Sequence, residues 1–147
     1  MRIMFLDDMQ SRRDVFKTQS IGHTVDFAIT AKQAIELLKN NEYDAIYLDH
    51  DLENDHYQSN EDHHEDGRFV ARALREMTQH HGKIVVIHSL NPGGRANIKS
   101  ILDKDFDVWM PENLRGISEM WKIEVSILFR AIEKFNSEQK KDFFDKS

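Results

Sequence analysis

"YDAIYLDHDL", residues 43–52, sets an unbroken apolar run, Ala45 to Leu48, directly before Asp49-His50-Asp51. A strand with one face in water alternates polar and apolar side chains, so a continuous run of this kind predicts a strand covered on both faces. The pattern recurs on either side. "RIMFL" (2–6) ends in Asp7-Asp8, "TVDFAI" (24–29) and "FDVWM" (106–110) have the same β-branched and aromatic character, and "KIVVIH" (83–88) ends in His88-Ser89. Between these runs lie stretches of helical period: Gln10 to about Thr18, "AKQAIELLKN" (31–40), "GRFVARALREMTQH" (67–80) and "RANIKSILDK" (95–104). The second of these has Thr30 as N-cap and Ala34, Ile35, Leu37 and Leu38 as its apolar set. Strand and helix alternation implies right-handed crossovers and a parallel sheet covered by helices, an α/β three-layer sandwich made of a single (βα)5 domain.

The last helix is expected to be long. From about Ile117 to Phe135, the residues Ile117, Trp121, Val125, Leu128, Ile132 and Phe135 form one apolar stripe, and Met120, Ile123, Ile127 and Ala131 begin a second. One stripe covers the sheet. The second reads as a broad core-facing arc, with a homodimer surface as its rival. The domain is placed at 1–136, with residues 137–147 as a loosely docked tail.

With 147 residues there is room for one core and no second domain. No apolar stretch approaches the roughly 18–20 residues that a membrane-spanning helix needs. "MRIMFLDDMQ" turns acidic before any signal-like core forms, and there is no cysteine, so the reading is a soluble cytoplasmic protein without membrane partners. Charge is concentrated. Residues 49–66 hold eight acids and no Lys or Arg, so this segment supplies -8 of a formal net charge of -6 and leaves +2 for the rest. Such a segment repels phosphate backbones and attracts cations, which argues against general DNA binding.

Open parallel sheets bind ligands at the carboxyl ends of their strands, near the switch in strand order. In the order 2-1-3-4-5, strands one, three and four are adjacent, so Asp7-Asp8, Asp49-His50-Asp51 and His88-Ser89 converge on one rim. Crowded carboxylates repel one another and persist with raised pKa values, cationic neighbours or a bound metal. Hard oxygen donors of this kind suit Mg²⁺ or Mn²⁺ ahead of Zn²⁺. His50 and His88, at the ends of central strands beside carboxylates, are candidates for proton exchange. His23, His80 and His81 read as ordinary surface residues. His56, His63 and His64 fall in the acidic segment 53–66, read as a mobile lid with a zinc site as its rival, although the spacing matches no strong metal-ligand pattern. "NPGGRAN" (91–97) reads as a turn before the fourth helix, where free N–H groups and Arg95 favour a phosphate.

The set "LDD", "YDAIYLDHDL" and "KIVVIHS" resembles a response-regulator receiver domain of the CheY-like, flavodoxin-like type over roughly residues 1–115. The resemblance implies Asp49 at the phosphoacceptor position and Asp7-Asp8 as the Mg²⁺-binding pair. Two departures argue against ordinary phosphorelay: the lysine expected after strand five is missing, with Met110 before Pro111, and His50-Asp51 follow Asp49 where receivers carry apolar residues. A more specific resemblance is to the cyclic-phosphate processing receiver-like family, through "FLDD" (5–8), "LDHDL" (48–52), "DG" (66–67) and "HSLNPGGR" (88–95).

That resemblance implies a small phosphate-containing substrate or an RNA end: a cyclic nucleotide, an RNA-terminal or a sugar cyclic phosphate. In this reading Asp7, Asp8 and Asp49 hold the metal; His50, His88, Asp49 and Asp51 form the catalytic set; Ser89, Asn91 and Arg95 hold the nonbridging oxygens. "DHD" is also similar to the Asp-x-Asp of haloacid-dehalogenase-type phosphatases, and covalent catalysis by Asp49 ranks below hydrolysis by water. The rival class is a non-catalytic receiver-like module that binds a nucleotide or a protein.

Overall fold

The computed structural model describes residues 1–50, 52, 66–88, 92–111, 126 and 128–138. Five parallel strands, β1 (Arg2–Leu6), β2 (Thr24–Ala28), β3 (Ala45–Leu48), β4 (Ile84–Ile87) and β5 (Asp107–Trp109), lie in the order β2-β1-β3-β4-β5. The register pairs Ile3 with Val25 and Ala45, and Leu48 with Ile87, so β1, β3 and β4 end side by side.

Alternation along the central strands divides the interior into two layers. Met4, Leu6, Ile46, Leu48, Val85 and Ile87 meet the helices α2 (Ala31–Asn40), α3 (Gly67–Arg75) and α4 (Pro92–Leu102) on one face. Ile3, Phe5, Ala45, Tyr47, Ile84 and Val86 point the other way, toward Phe16 of α1 (Gln10–Gln19) and toward Phe129 and Ile132 of a helical stretch, 128–138, here called α5. Both faces of β3 and β4 are therefore buried, which is why their sequences are apolar without interruption. Among the described residues no helix is long and apolar enough to cross a membrane.

Local chemistry fixes the helix ends. Thr30 caps α2, accepting from the Gln33 amide at 3.1 Å, and Asp66 caps α3, accepting from the Arg68 amide at 2.8 Å. At the other end of α2 three carbonyls receive side-chain donors: Glu36 from Asn40, Leu37 from Asn41 and Leu38 from His80 Nε2, the last at 2.6 Å. His80 is fully buried, so its reading as a surface residue is corrected. The helix expected over 67–80 ends at Arg75, because Met77 and His80 turn inward and the chain tightens into a 3₁₀ turn at Thr78–His80. The fourth helix begins at Pro92 rather than Arg95, so the predicted Pro-Gly-Gly turn is its first turn. Proline suits this place because its missing N–H would have had no partner and its φ is already helical.

α5 runs through Glu138, past the boundary expected near 136. Its described part buries Phe129 and Ile132. Residues 112–125, which carry half of the predicted double stripe, lie outside the described residues, as do 53–65 and most of the tail.

Candidate functional site

The carboxyl ends of β1 and β3 bring Asp7, Asp8 and Asp49 together, each offering a carboxylate oxygen within 4.8 Å of the others. Asp7 is fully buried and Asp49 nearly so, while Asp8 is half-buried. Burial pushes the Asp7 carboxyl above its usual range. Its hydrogen bond from the Met9 amide (2.8 Å to Oδ1) and the charges of Arg12 and Arg13 act against that rise.

Three features of this pocket are absent from the sequence reading. The first is Arg12. It lies one helical turn before Phe16, on the face of α1 that meets the sheet, and sends Nη1 to 3.4 Å from Asp7 Oδ2 and 3.8 Å from Asp49 Oδ2. The i, i+4 spacing to Phe16 was the available signal, since a helix buries such pairs on one face.

The second is the state of His88. Its ring is 2% exposed and stacks on Phe5 at a centroid distance of 4.8 Å. Nε2 faces the Leu6 carbonyl at 3.1 Å, and a carbonyl only accepts, so Nε2 carries the hydrogen. Nδ1 is then an acceptor, buried with no hydrogen-bond partner among the described residues, 3.6 Å from Asp7 Oδ2. Burial, with the nearby Arg12 charge second, pulls the ring's pKa down to about 3. Two acceptors thus face each other beneath the rim, an arrangement that one proton or one cation reconciles. Three carboxylate oxygens within 4.8 Å of one another suit a hard divalent cation held by Asp7, Asp8 and Asp49.

The third is the clamp on His50. Its backbone carbonyl accepts from the Gly67 amide at 3.0 Å. A Cβ at Gly67 would collide with the Asp49 carbonyl, and one at Gly94 would lie 2.6 Å from His50 Nδ1. Two helices thus use glycine where they press on residues 49–50. His50 is 9% exposed, and its Nε2 is 3.7 Å from Asp66 Oδ2, a carboxylate that also pairs with Arg68 at 3.1 Å.

Arg95 lies on the first turn of α4. With Pro92, Ala96 and Met110 it lines a hollow of about 180 Å³ beside β5. Met110, where receivers carry a lysine, is 37% exposed. Asp51, Ser89 and Asn91 lie outside the described residues, and so do His56, His63 and His64.

A doubly wound parallel sheet in this order, with acidic residues at the carboxyl ends of its central strands, defines a receiver-like protein. Solved receiver domains share the fold. The CheY-like receiver of Methanospirillum hungatei JF-1 superposes with a TM-score of 0.64 at 17% identity, over 96% of this chain and 97% of that one. The response regulator domain of Thermotoga maritima CheB gives 0.66 at 18%, over 91% and 94%. The signal receiver domain of an HD domain-containing protein from Pseudomonas fluorescens Pf-5 gives 0.64 at 14%, over 93% and 97%. A comparison with curated proteins finds no match. At the level of family the match is direct: residues 2–104 fit the cyclic-phosphate processing receiver domain, and the chain belongs to that family.

Proposed function

We propose that the protein opens a cyclic phosphate by metal-assisted hydrolysis, on a small cyclic phosphate or an RNA end. The observation that carries this reading is the triad of Asp7, Asp8 and Asp49 on one rim, with a clamped histidine directly after Asp49. The triad would hold Mg²⁺ or Mn²⁺. Such an ion supplies charge neutralisation at the phosphate and acidifies water in contact with it.

The chain's own residues divide the remaining work. His50 takes a proton from the attacking water as the new P–O bond forms. It returns that proton to the sugar oxygen as the ring P–O bond breaks, so a phosphomonoester and a free hydroxyl result with no proton left over. Asp66 steadies the imidazolium between the two steps. His88 was expected to share this proton transfer; with both ring nitrogens turned to protein, the role proposed for it is to position Asp7. Arg95 is the anion clamp, and Asp51, Ser89 and Asn91 keep the roles read from the sequence.

General acid–base groups contribute on the order of 10²–10⁴-fold, so His50→Ala should lose activity on that scale while its thermal unfolding stays cooperative. Phosphorus NMR of the substrate follows the ring opening directly. Retained activity in His50→Ala removes His50 from the chemistry. A non-catalytic binding module is favoured by one observation: Arg12 gives Asp7 and Asp49 an internal counter-charge, so the rim can persist without any reaction.

A further inference from the structure

A guanidinium buried against a sheet is costly unless anions receive it, and a lasting buried pair takes the short, two-pronged geometry that a carboxylate offers. Arg12 does not have that geometry. Its residue is 8% exposed, yet the two carboxylates share one nitrogen at 3.4 and 3.8 Å. Its Nε is sealed from solvent with no hydrogen-bond acceptor among the described residues. The cation is held by charge and one long hydrogen bond to Asp7, and its Nε donor is unused among the described residues.

Asp7, Asp8 and Asp49 with Arg12 carry a formal charge of -2, which one divalent ion would neutralise. That ion and the guanidinium would compete for the same carboxylates, Asp7 and Asp49, and their like charges repel. A phosphate placed between them relieves the repulsion, since its oxygens can face both. We infer that Arg12 is a resident cation whose bridge between Asp7 and Asp49 is displaced when a divalent ion enters, and whose freed donors then take the oxygens of a bound phosphate. The inference rests on the metal site of the function proposed above and adds an order of events: ion first, phosphate second.

The test uses the full chain and three forms: wild type, Arg12→Met and Arg12→Lys. Mn²⁺ is titrated by calorimetry and by electron paramagnetic resonance, with and without inorganic phosphate. Removing the competing charge should tighten Mn²⁺ binding in Arg12→Met by roughly tenfold, and should abolish the binding of phosphate that Mn²⁺ otherwise promotes. Arg12→Lys, which keeps the charge, should stay near wild type for Mn²⁺. Unchanged or weaker Mn²⁺ binding in Arg12→Met overturns displacement while leaving the metal site intact. Absence of Mn²⁺ binding in all three overturns the metal site itself and the displacement with it. Should Arg12→Met fail to fold, the wild-type protein still decides. Its Arg12 Nε–H NMR signal, identified by its loss in Arg12→Lys, should move on addition of Mg²⁺, and a signal that stays in place overturns the inference.

Discussion

His88 looks in the sequence like a histidine at a catalytic rim, and in the fold it is a wall beneath that rim. Sequence places the residue at the end of β4 but says nothing of its depth, which depends on how Phe5 and Asp7 sit across the strand gap. Its burial has a measurable consequence. The folded ring titrates at about 3, while an unfolded histidine does so near 6.5. Between those values the unfolded chain holds a proton that the folded chain does not. Stability from this group is therefore complete above about pH 6.5 and is lost as pH falls toward 3, by up to about 1.4 kcal/mol per pH unit. Asp7 works in the opposite sense: its raised carboxyl binds a proton more readily in the fold, so its contribution declines as pH rises through the carboxylate range. His88→Gln keeps a donor for the Leu6 carbonyl and removes the titration. In EDTA, urea unfolding should show a shallower loss of stability from pH 6.5 to 5 in this variant than in wild type; equal slopes would mean that His88 is charged in the folded protein.

The three aspartates belong to the same scale. Asp8 is the most open of the triad, so Asp8→Asn should fold normally and bind Mg²⁺ or Mn²⁺ roughly tenfold more weakly, a loss of about 1.4 kcal/mol. Calorimetry reads this directly, and undiminished affinity would move the ion elsewhere. The pairing of these residues was legible because acids at the ends of two strands can meet only if those strands are neighbours. Arg12 was not read, although its spacing to Phe16 places it on a buried face, because arginines on helices so often lie in water.

At the scale of elements, apolar runs and their punctuation revealed all five strands, and Thr30 announced the start of α2. The helix ends were harder. The end of α3 is set by His80 reaching the last turn of α2 from 42 residues away, a tertiary cause that local periodicity does not carry. The start of α4 was misread because Pro-Gly-Gly is usually a turn; here Gly94 is needed so that the helix can lie against the His50 ring. The two glycines should therefore respond differently to alanine. Gly93 is exposed on the helix, so Gly93→Ala should stabilise by up to about 1 kcal/mol. Gly94→Ala forces a methyl group into His50 and should cost about 1–3 kcal/mol and shift the ring. Paired denaturation curves check both signs, and equal effects would show that α4 does not press on His50.

At the scale of the whole molecule, topology does what no single residue can: the order β2-β1-β3-β4-β5 brings positions 7, 8, 49, 50 and 88 to one end of the sheet. That convergence was legible from the β-α alternation together with the acids that close the strands. The electrostatic balance of the site was not, since it depends on an arginine from α1 and a cap residue from α3 meeting the strand ends in space. The family places the molecule among receivers associated with cyclic phosphates, and the proposed function requires that this rim perform chemistry. The most direct measurement incubates the purified protein with nucleoside, sugar and RNA-terminal cyclic phosphates, with Mg²⁺, Mn²⁺ or EDTA, and follows phosphorus NMR. At least one class should be converted to a phosphomonoester, and EDTA should abolish the conversion. Tight binding of a cyclic phosphate that is returned unchanged with either metal between pH 5 and 9 would contradict it and leave a binding module.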